Sequence, residues 1–298
     1  MNVYLLTCRT FLSYDADWIA AFTHHFGGVA LVRMTDNKPK GIDDAELVVL
    51  LHSTSALGVQ YPDWLYRMAN ERTGKILMMC GNDYKHFEAK QQAADRLHVD
   101  LLATLAPNTP YTLGNGIRRI EHVPHALNPD RYRPTTAHGD RIYTVGFRGF
   151  RYPDNLGDTE RNGIVEVFEG LPGTDIQWQI LTGDAYVEWL GECQATCATE
   201  AGAPGMKAVS SRHFESIGSG TALVMYEGEF SGCLEPEHYV RLERDHSNMD
   251  EVLALIDDPA EWGKVVTRAY NHAVEHHTYD HRMRQIEDGL WRSPVTAH

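Results

Sequence analysis

The feature that most constrains the fold is an alternation along the chain. Short apolar runs of strand length are followed, again and again, by amphipathic stretches. Val3–Thr7, Val29–Arg33, Leu47–Leu51, Lys75–Met79, Leu101–Ala103 and Arg119–His122 have the aliphatic and β-branched content of buried strands. Asp15–His25 and Tyr84–Leu97 fall between them with helical spacing. Strands apolar on both faces and separated by helices form a parallel sheet covered on both sides, so the class is α/β.

The rhythm breaks at VPHALNPDRYRPTTAHGDR, Val123–Arg141, which has three prolines and neither a helical nor a strand period. Such a segment reads as an interdomain linker. Strands then resume at Tyr143–Phe147, Ile176–Leu181 and Ala222–Tyr226, with helices expected over Asn162–Glu169, Ala185–Thr199 and Val209–Ile217. Two α/β domains follow, 1–135 and 136–298. Asp258 is placed to cap a helix, with Pro259 at its first position and Glu261 closing a capping box. Trp262, Val265, Val266, Ala269, Tyr270 and Ala273 then form the apolar stripe of a helix lying on a core. Open α/β sheets take ligands outside the carboxyl ends of their strands.

The 298 residues, 43% of them hydrophobic, suffice for two cores. No apolar run reaches the ~18 residues of a membrane span, and the amino terminus reads as a strand rather than a leader, which implies a cytoplasmic protein. Five scattered cysteines argue against a disulfide framework. Cys193 and Cys197, a helical turn apart on the expected helix, read as buried thiols rather than metal ligands. His272 and His276, and His277 and His281, are spaced by four but lack the H-E-x-x-H arrangement, so no metal site is expected. A net charge of -14 opposes a large nucleic-acid footprint, while a few focused arginines still suffice for a small diphosphate.

The most informative stretch is Met206–Gly232. A helix there carries Arg212 and Glu215 and runs through Gly218-Ser219-Gly220-Thr221 into a strand. Its first turn offers free amides to a phosphate, with Lys207 nearby. Glu215 has two oxygens for the hydroxyls of a ribose, and Gly218 and Gly220 allow close passage of a backbone. The alternative is a surface Arg212–Glu215 pair and a plain helix end.

The segments RHFESIGSGTALV and EGEFSG resemble the donor-binding region of group-1, spore-maturation-type glycosyltransferases. The likeness extends through EPEHYVRLERDHSNMDEVLALIDDP to HTYDHRMRQI, and CGNDYK and VPHALNPDRYRP are similar to segments of the same family. It spans about residues 76–286 and is strongest over 206–250. The resemblance implies a GT-B fold, two Rossmann-like domains facing each other across a cleft with the last helix crossing back to the first, and a nucleoside-diphosphate sugar as co-substrate with no other cofactor and no metal. It implies that Glu215 holds the donor ribose, that Gly220 and Thr221 lie near the nucleotide, and that Arg148 and Arg151 approach the diphosphate. Thr182 and Gly183 would line the base pocket. Lys207 departs from the pattern, because many retaining relatives carry a second glutamate at that position.

On the acceptor side, His52 and Asp83 follow apolar strands and are candidates for base or proton acceptor, with Asn82 and His125 as further lining residues. Two alternative functions remain: a GT-B scaffold that binds nucleotide or sugar without transfer, motivated by Lys207, and transfer to DNA bases through a groove using Arg118, Arg119, Arg131 and Arg133. The acceptor and the oligomeric state are not encoded in any of these patterns.

Overall fold

A computed structural model describes residues 1–7, 13–34, 37–51, 61–81, 86–114, 116–151, 156–203 and 206–291. The chain divides into two compact units, Met1–Pro124 with Tyr279–His298, and His125–Thr278.

In the first unit the strands are β1 (Val3–Thr7), β2 (Val29–Arg33), β3 (Leu47–Leu51), β4 (Lys75–Met79), β5 (Leu101–Thr104) and β6 (Ile120–His122). All pair in parallel, in the order β2-β1-β3-β4-β5-β6. Every residue of β3 is buried, as an apolar strand covered on both faces requires. Helices α1 (Ser13–Phe26), α2 (Asp63–Glu71) and α3 (Phe87–Arg96) connect the strands. Trp64, Leu65, Met68 and Ala69 give α2 a buried face.

The second unit contains β7 (Tyr143–Arg148), α4 (Leu156–Glu166), β8 (Thr174–Gln177), α5 (Asp184–Glu192), β9 (Cys193–Cys197), the hairpin strands β10 (Ala201–Ala203) and β11 (Met206–Ala208), α6 (Ser211–Gly218), β12 (Ala222–Met225), β13 (Val240–Arg241), α7 (Met249–Asp257) and α8 (Pro259–His276). Its main sheet has the order β13-β12-β9-β7-β8, all parallel. Asp258 caps α8 by accepting from the amides of Ala260 and Glu261. Glu261 instead turns to Lys264, 2.6 Å away, so the expected capping box is replaced by a single cap and an ion pair. Trp262, Val266, Ala269 and Ala273 are the buried stripe of this helix.

The expected helix over Ala185–Thr199 is in fact two elements. Its amino-terminal part is α5, and CQATC is β9, the central strand between β7 and β12. Cys193 and Cys197 are therefore strand residues, both fully buried, rather than neighbours on one helical turn.

The crossing between units lies at Pro124–His125, and residues 125–135 belong to the second unit. Leu127 and Tyr132 are core residues there, packed with Phe214 and Ile217. The Leu127 amide donates to the His277 carbonyl at 2.7 Å, and Leu127 bridges to Thr278. The prolines of this segment prevent a regular element, but its apolar side chains are anchored.

The last helix, α9 (Tyr279–Trp291), packs within the first unit. Tyr279 meets Trp18 edge-on at 4.8 Å, and Arg282 donates to the Pro124 carbonyl at 3.0 Å. Met283 and Ile286 are fully buried.

Gly218 shows how closely α6 approaches the entry segment. A Cβ there would stand 2.4 Å from Leu127 Cδ1 and 2.6 Å from Tyr132 Cβ. Gly218→Ala is expected to destabilise the protein by about 1–3 kcal/mol through overpacking. Gly263→Ala, on α8 with open space around its Cβ, should instead stabilise by up to about 1 kcal/mol. Urea unfolding of the two variants beside the wild type checks both signs.

Candidate active site

The sheet of the second unit changes direction once. From β7 the chain moves outward to the edge strand β8, then returns past β7 to β9 and continues to β12 and β13. The crevice outside the carboxyl ends of β7 and β9 is thus a topological switch point, where open α/β sheets bind ligands. Arg148 and Gly149 stand at the end of β7, and Ala198, Thr199 and Glu200 follow β9. The amino termini of α5 and α6 belong to the same end of the sheet, because each helix runs antiparallel to the strands it connects.

The arginines at this end differ in what they already hold. Arg148 donates to Asp175 on β8, whose carboxylate also accepts from Trp189 Nε1 at 2.7 Å and from Gln177 Nε2 at 3.0 Å. Arg151 lies at the surface, paired with Glu166 at 2.6 Å and Glu169 at 3.7 Å and stacked on Trp178. Arg212, in the first turn of α6, reaches across the end of β7. Its Nη2 donates to the Arg148 carbonyl at 2.6 Å and its guanidinium lies 4.8 Å above the Phe147 ring. It pairs with no carboxylate among the described residues. Gly149 makes the crossing possible, since a Cβ there would meet Phe147 Cζ at 2.8 Å and Arg212 Nη2 at 3.3 Å.

Glu215 is buried one turn further along α6. The hydroxyl of Tyr186 on α5 is hydrogen-bonded to it, and burial together with the Glu215 charge holds that hydroxyl far above the usual tyrosine range. Tyr186 was not among the sequence candidates, although it opens the buried face of α5. Thr182 is exposed just before α5, and Gly183 begins the helix at φ 67° with no atom within 4 Å of a Cβ.

Lys207 lies on β11 and faces carboxylates, with Nζ 3.8 Å from Glu200 and 3.9 Å from Glu160. Gly218, Ser219, Gly220 and Thr221 are at the far end of α6, beside the amino ends of β9 and β12. There Arg141 donates to the Ser219 carbonyl at 3.1 Å and to Thr221 Oγ1 at 3.0 Å. Gly220, at φ 66°, has Pro134 Cβ only 2.8 Å from where a Cβ would be. The structure therefore gathers Arg148, Arg212, Glu215 and Lys207 toward the carboxyl end of the sheet and sets the Gly218–Thr221 turn at the opposite end.

On the acceptor side, His125 is buried at the start of the second unit. His52, Asn82 and Asp83 lie outside the described residues. Arg118 pairs with Asp100 at 3.0 Å and Arg119 with Glu121 at 2.8 Å in the first unit. In the second, Arg133 pairs with Asp130 at 3.0 Å and Arg131 stacks on its neighbour Tyr132. Near the end of α8, His272 meets His277 at 3.2 Å and the Cys233 carbonyl at 3.2 Å, and stacks on His238 at 4.3 Å.

Residues 151–288 match the sequence model of a family described as glycosyl transferase-like. No curated protein sequence matches the chain. Among solved structures, HepE of Anabaena, in complex with UDP and glucose, is similar at TM-score 0.66 and 8% identity over 98% of this chain and 100% of that one. A glycosyltransferase from Rickettsia africae ESF-5 is similar at TM-score 0.64 and 9% identity, over 98% and 99% of the two chains. TarM is similar at TM-score 0.56 and 8% identity; the match covers 87% of this chain and 56% of TarM. The shared fold is that of two Rossmann-like domains.

His213, between Arg212 and Glu215 in sequence, is fully buried, with Nδ1 3.0 Å from Ser210 Oγ. Burial lowers its pKa from 6.5 to about 4, the Ser210 carbonyl partly opposing this. From pH 6.5 down to 4 the unfolded chain takes up a proton that the folded chain refuses. Stability from this group is thus full above pH 6.5 and falls by about 2–3 kcal/mol on acidification through that window. His213→Gln should flatten the drop by that amount, read from urea midpoints of both proteins at pH 7.5 and 4.5.

Proposed function

We propose, from the match of residues 151–288 to a glycosyl transferase-like family and from the GT-B fold, that the chain is an enzyme moving a sugar from a nucleoside-diphosphate sugar to an acceptor, without a metal. The observation that carries the reading is Arg212. It is a cation set across the switch point of the second unit, beside the amino terminus of α6, with no carboxylate partner among the described residues. A planar guanidinium and a helix amino terminus together offset the charge that develops on a departing diphosphate. Neutralisation by Asp175 and by Glu166 makes Arg148 and Arg151 weaker phosphate ligands than Arg212.

Glu215 is the donor-ribose ligand in this reading, its carboxylate exchanging the Tyr186 hydroxyl for those of the sugar. The UDP held by HepE supports a uridine nucleotide as the first donor to try. Lys207 serves this site through its carboxylate neighbours rather than as a direct phosphate ligand. The buried thiols Cys193 and Cys197 accord with a reducing, cytoplasmic setting. Among the described residues no helix is long and apolar enough to cross a membrane.

The test is release of nucleoside diphosphate from a panel of nucleotide sugars in the presence of small-molecule, glycan and protein acceptors. Turnover is expected with at least one donor. Arg212→Met should lower kcat/KM by about 100-fold or more, the scale of one lost oxyanion-type contact, whereas Arg151→Ala should stay within about threefold. Equal losses in the two variants would remove Arg212 from the centre of the reading.

A further inference from the structure

Beyond β9 a second group is built into the same end of the sheet. Glu200 is 5% exposed, and its Oε1 has no hydrogen-bond partner among the described residues. The Phe230 amide hydrogen-bonds the carboxylate and Lys207 lies 3.8 Å from Oε2. Burial raises its pKa above the usual carboxylate range, and Lys207 draws it partly back. Gly228 leaves the room it occupies, since a Cβ there would lie 2.7 Å from Glu200 Oε2. Glu200 lines a cavity with Thr199, Lys207, Tyr226, Phe230 and Arg244.

A buried carboxylate oxygen without a donor is costly unless something supplies one. The cavity's cations are already turned to carboxylates: Arg244 to Glu160 at 2.9 Å, Lys207 to Glu200 and Glu160. An anionic group would have to displace these pairs. A neutral hydroxyl would not, and it brings the donor that Oε1 lacks.

We propose that Glu200 is the specificity-determining acceptor for a hydroxyl of the transferred sugar, with Lys207 and the Phe230 amide as the groups that hold its carboxylate in place. In this arrangement the carboxylate comes from the end of β9, and the lysine on the neighbouring hairpin neutralises it. The inference rests on the sugar-transfer reading of the same unit.

The experiment compares binding of UDP and GDP with binding of UDP-glucose, UDP-N-acetylglucosamine and GDP-mannose by calorimetry, in the wild type and in Glu200→Gln. The expected result is a loss of about 10- to 100-fold for the tightest-bound nucleotide sugar, the range for a hydrogen bond to a charged group, with the bare diphosphate changed less than about twofold. Equal losses for sugar-linked and bare nucleotides, or no loss for either, would overturn the proposal. Monodeoxy analogues of the tightest-bound donor test the wild type independently of any variant. One of them should bind about tenfold or more weaker, and that same analogue should lose nothing further in Glu200→Gln. If every analogue binds the wild type within twofold of the parent, the proposal fails even where Glu200→Gln does not fold. If the wild type binds neither diphosphate nor any sugar nucleotide, the sugar-transfer reading itself falls, and a wild type that binds diphosphate alone sinks only the role of Glu200.

Discussion

One buried cation organises the second unit. Arg141, just before β7, is 6% exposed and pairs with no carboxylate among the described residues. It donates instead to the carbonyls of Leu190 and Cys193 at the end of α5, to that of Ser219 at the end of α6, and to Thr221 Oγ1. Those carbonyls stand at the negative ends of two helix dipoles, where a cation is favoured. A single guanidinium therefore caps both helices, and burial accounts for its pKa being drawn down to about 10. With both carboxyl termini pinned at the amino end of the sheet, the amino termini of α5 and α6 must face the other end. The orientation of Thr182, Gly183 and Arg212 toward the switch point follows from a contact at the opposite edge of the sheet.

This division of labour explains the glycine-rich turn. Gly218-Ser219-Gly220-Thr221 has the small residues and positive φ that a close ligand approach needs, and the neighbours that come close are Leu127, Tyr132, Pro134 and Arg141. The turn is where the entry segment crosses α6. Small side chains signal a close approach in sequence, but the identity of what approaches is a tertiary fact.

Much of the fold was legible. β1, β2, β3 and β4 have the limits their apolar runs suggested, because a strand buried on both faces writes its length directly into hydropathy. β9 was not legible for a specific reason. Tyr186, Trp189, Leu190, Cys193 and Cys197 continue the spacing of one helical face straight across the junction between α5 and β9. The period matches a helix to its end, and only pairing with β7 and β12 makes CQATC a strand. That one misreading also hid Glu200: inside an expected helix end and loop it had no assigned position, whereas after a central strand it stands at the mouth of the crevice. Arg212 and Glu215 were legible as a helical pair, but their separate surroundings, a bare strand end for one and Tyr186 for the other, were not.

The acidic balance of the chain sharpens the meaning of each cation at the site. With a net charge of -14, carboxylates are plentiful, and Arg148, Arg151, Lys207 and Arg244 each have one within reach. A paired cation offers an incoming anion little, because the ligand must first compete with the partner already there. Charge type in the sequence thus ranks these residues equally, and pairing in the fold ranks them differently. Among the described residues Arg212 stands apart as a positive charge answered by a carbonyl and an aromatic ring, and Glu200 as a buried acceptor whose second oxygen has no donor. Placed on the same carboxyl edge of one parallel sheet, they make opposite demands on a ligand: an anion for one, a hydroxyl for the other. A nucleoside-diphosphate sugar carries both groups in one molecule, and that is the physical reason to read the two residues as parts of a single site.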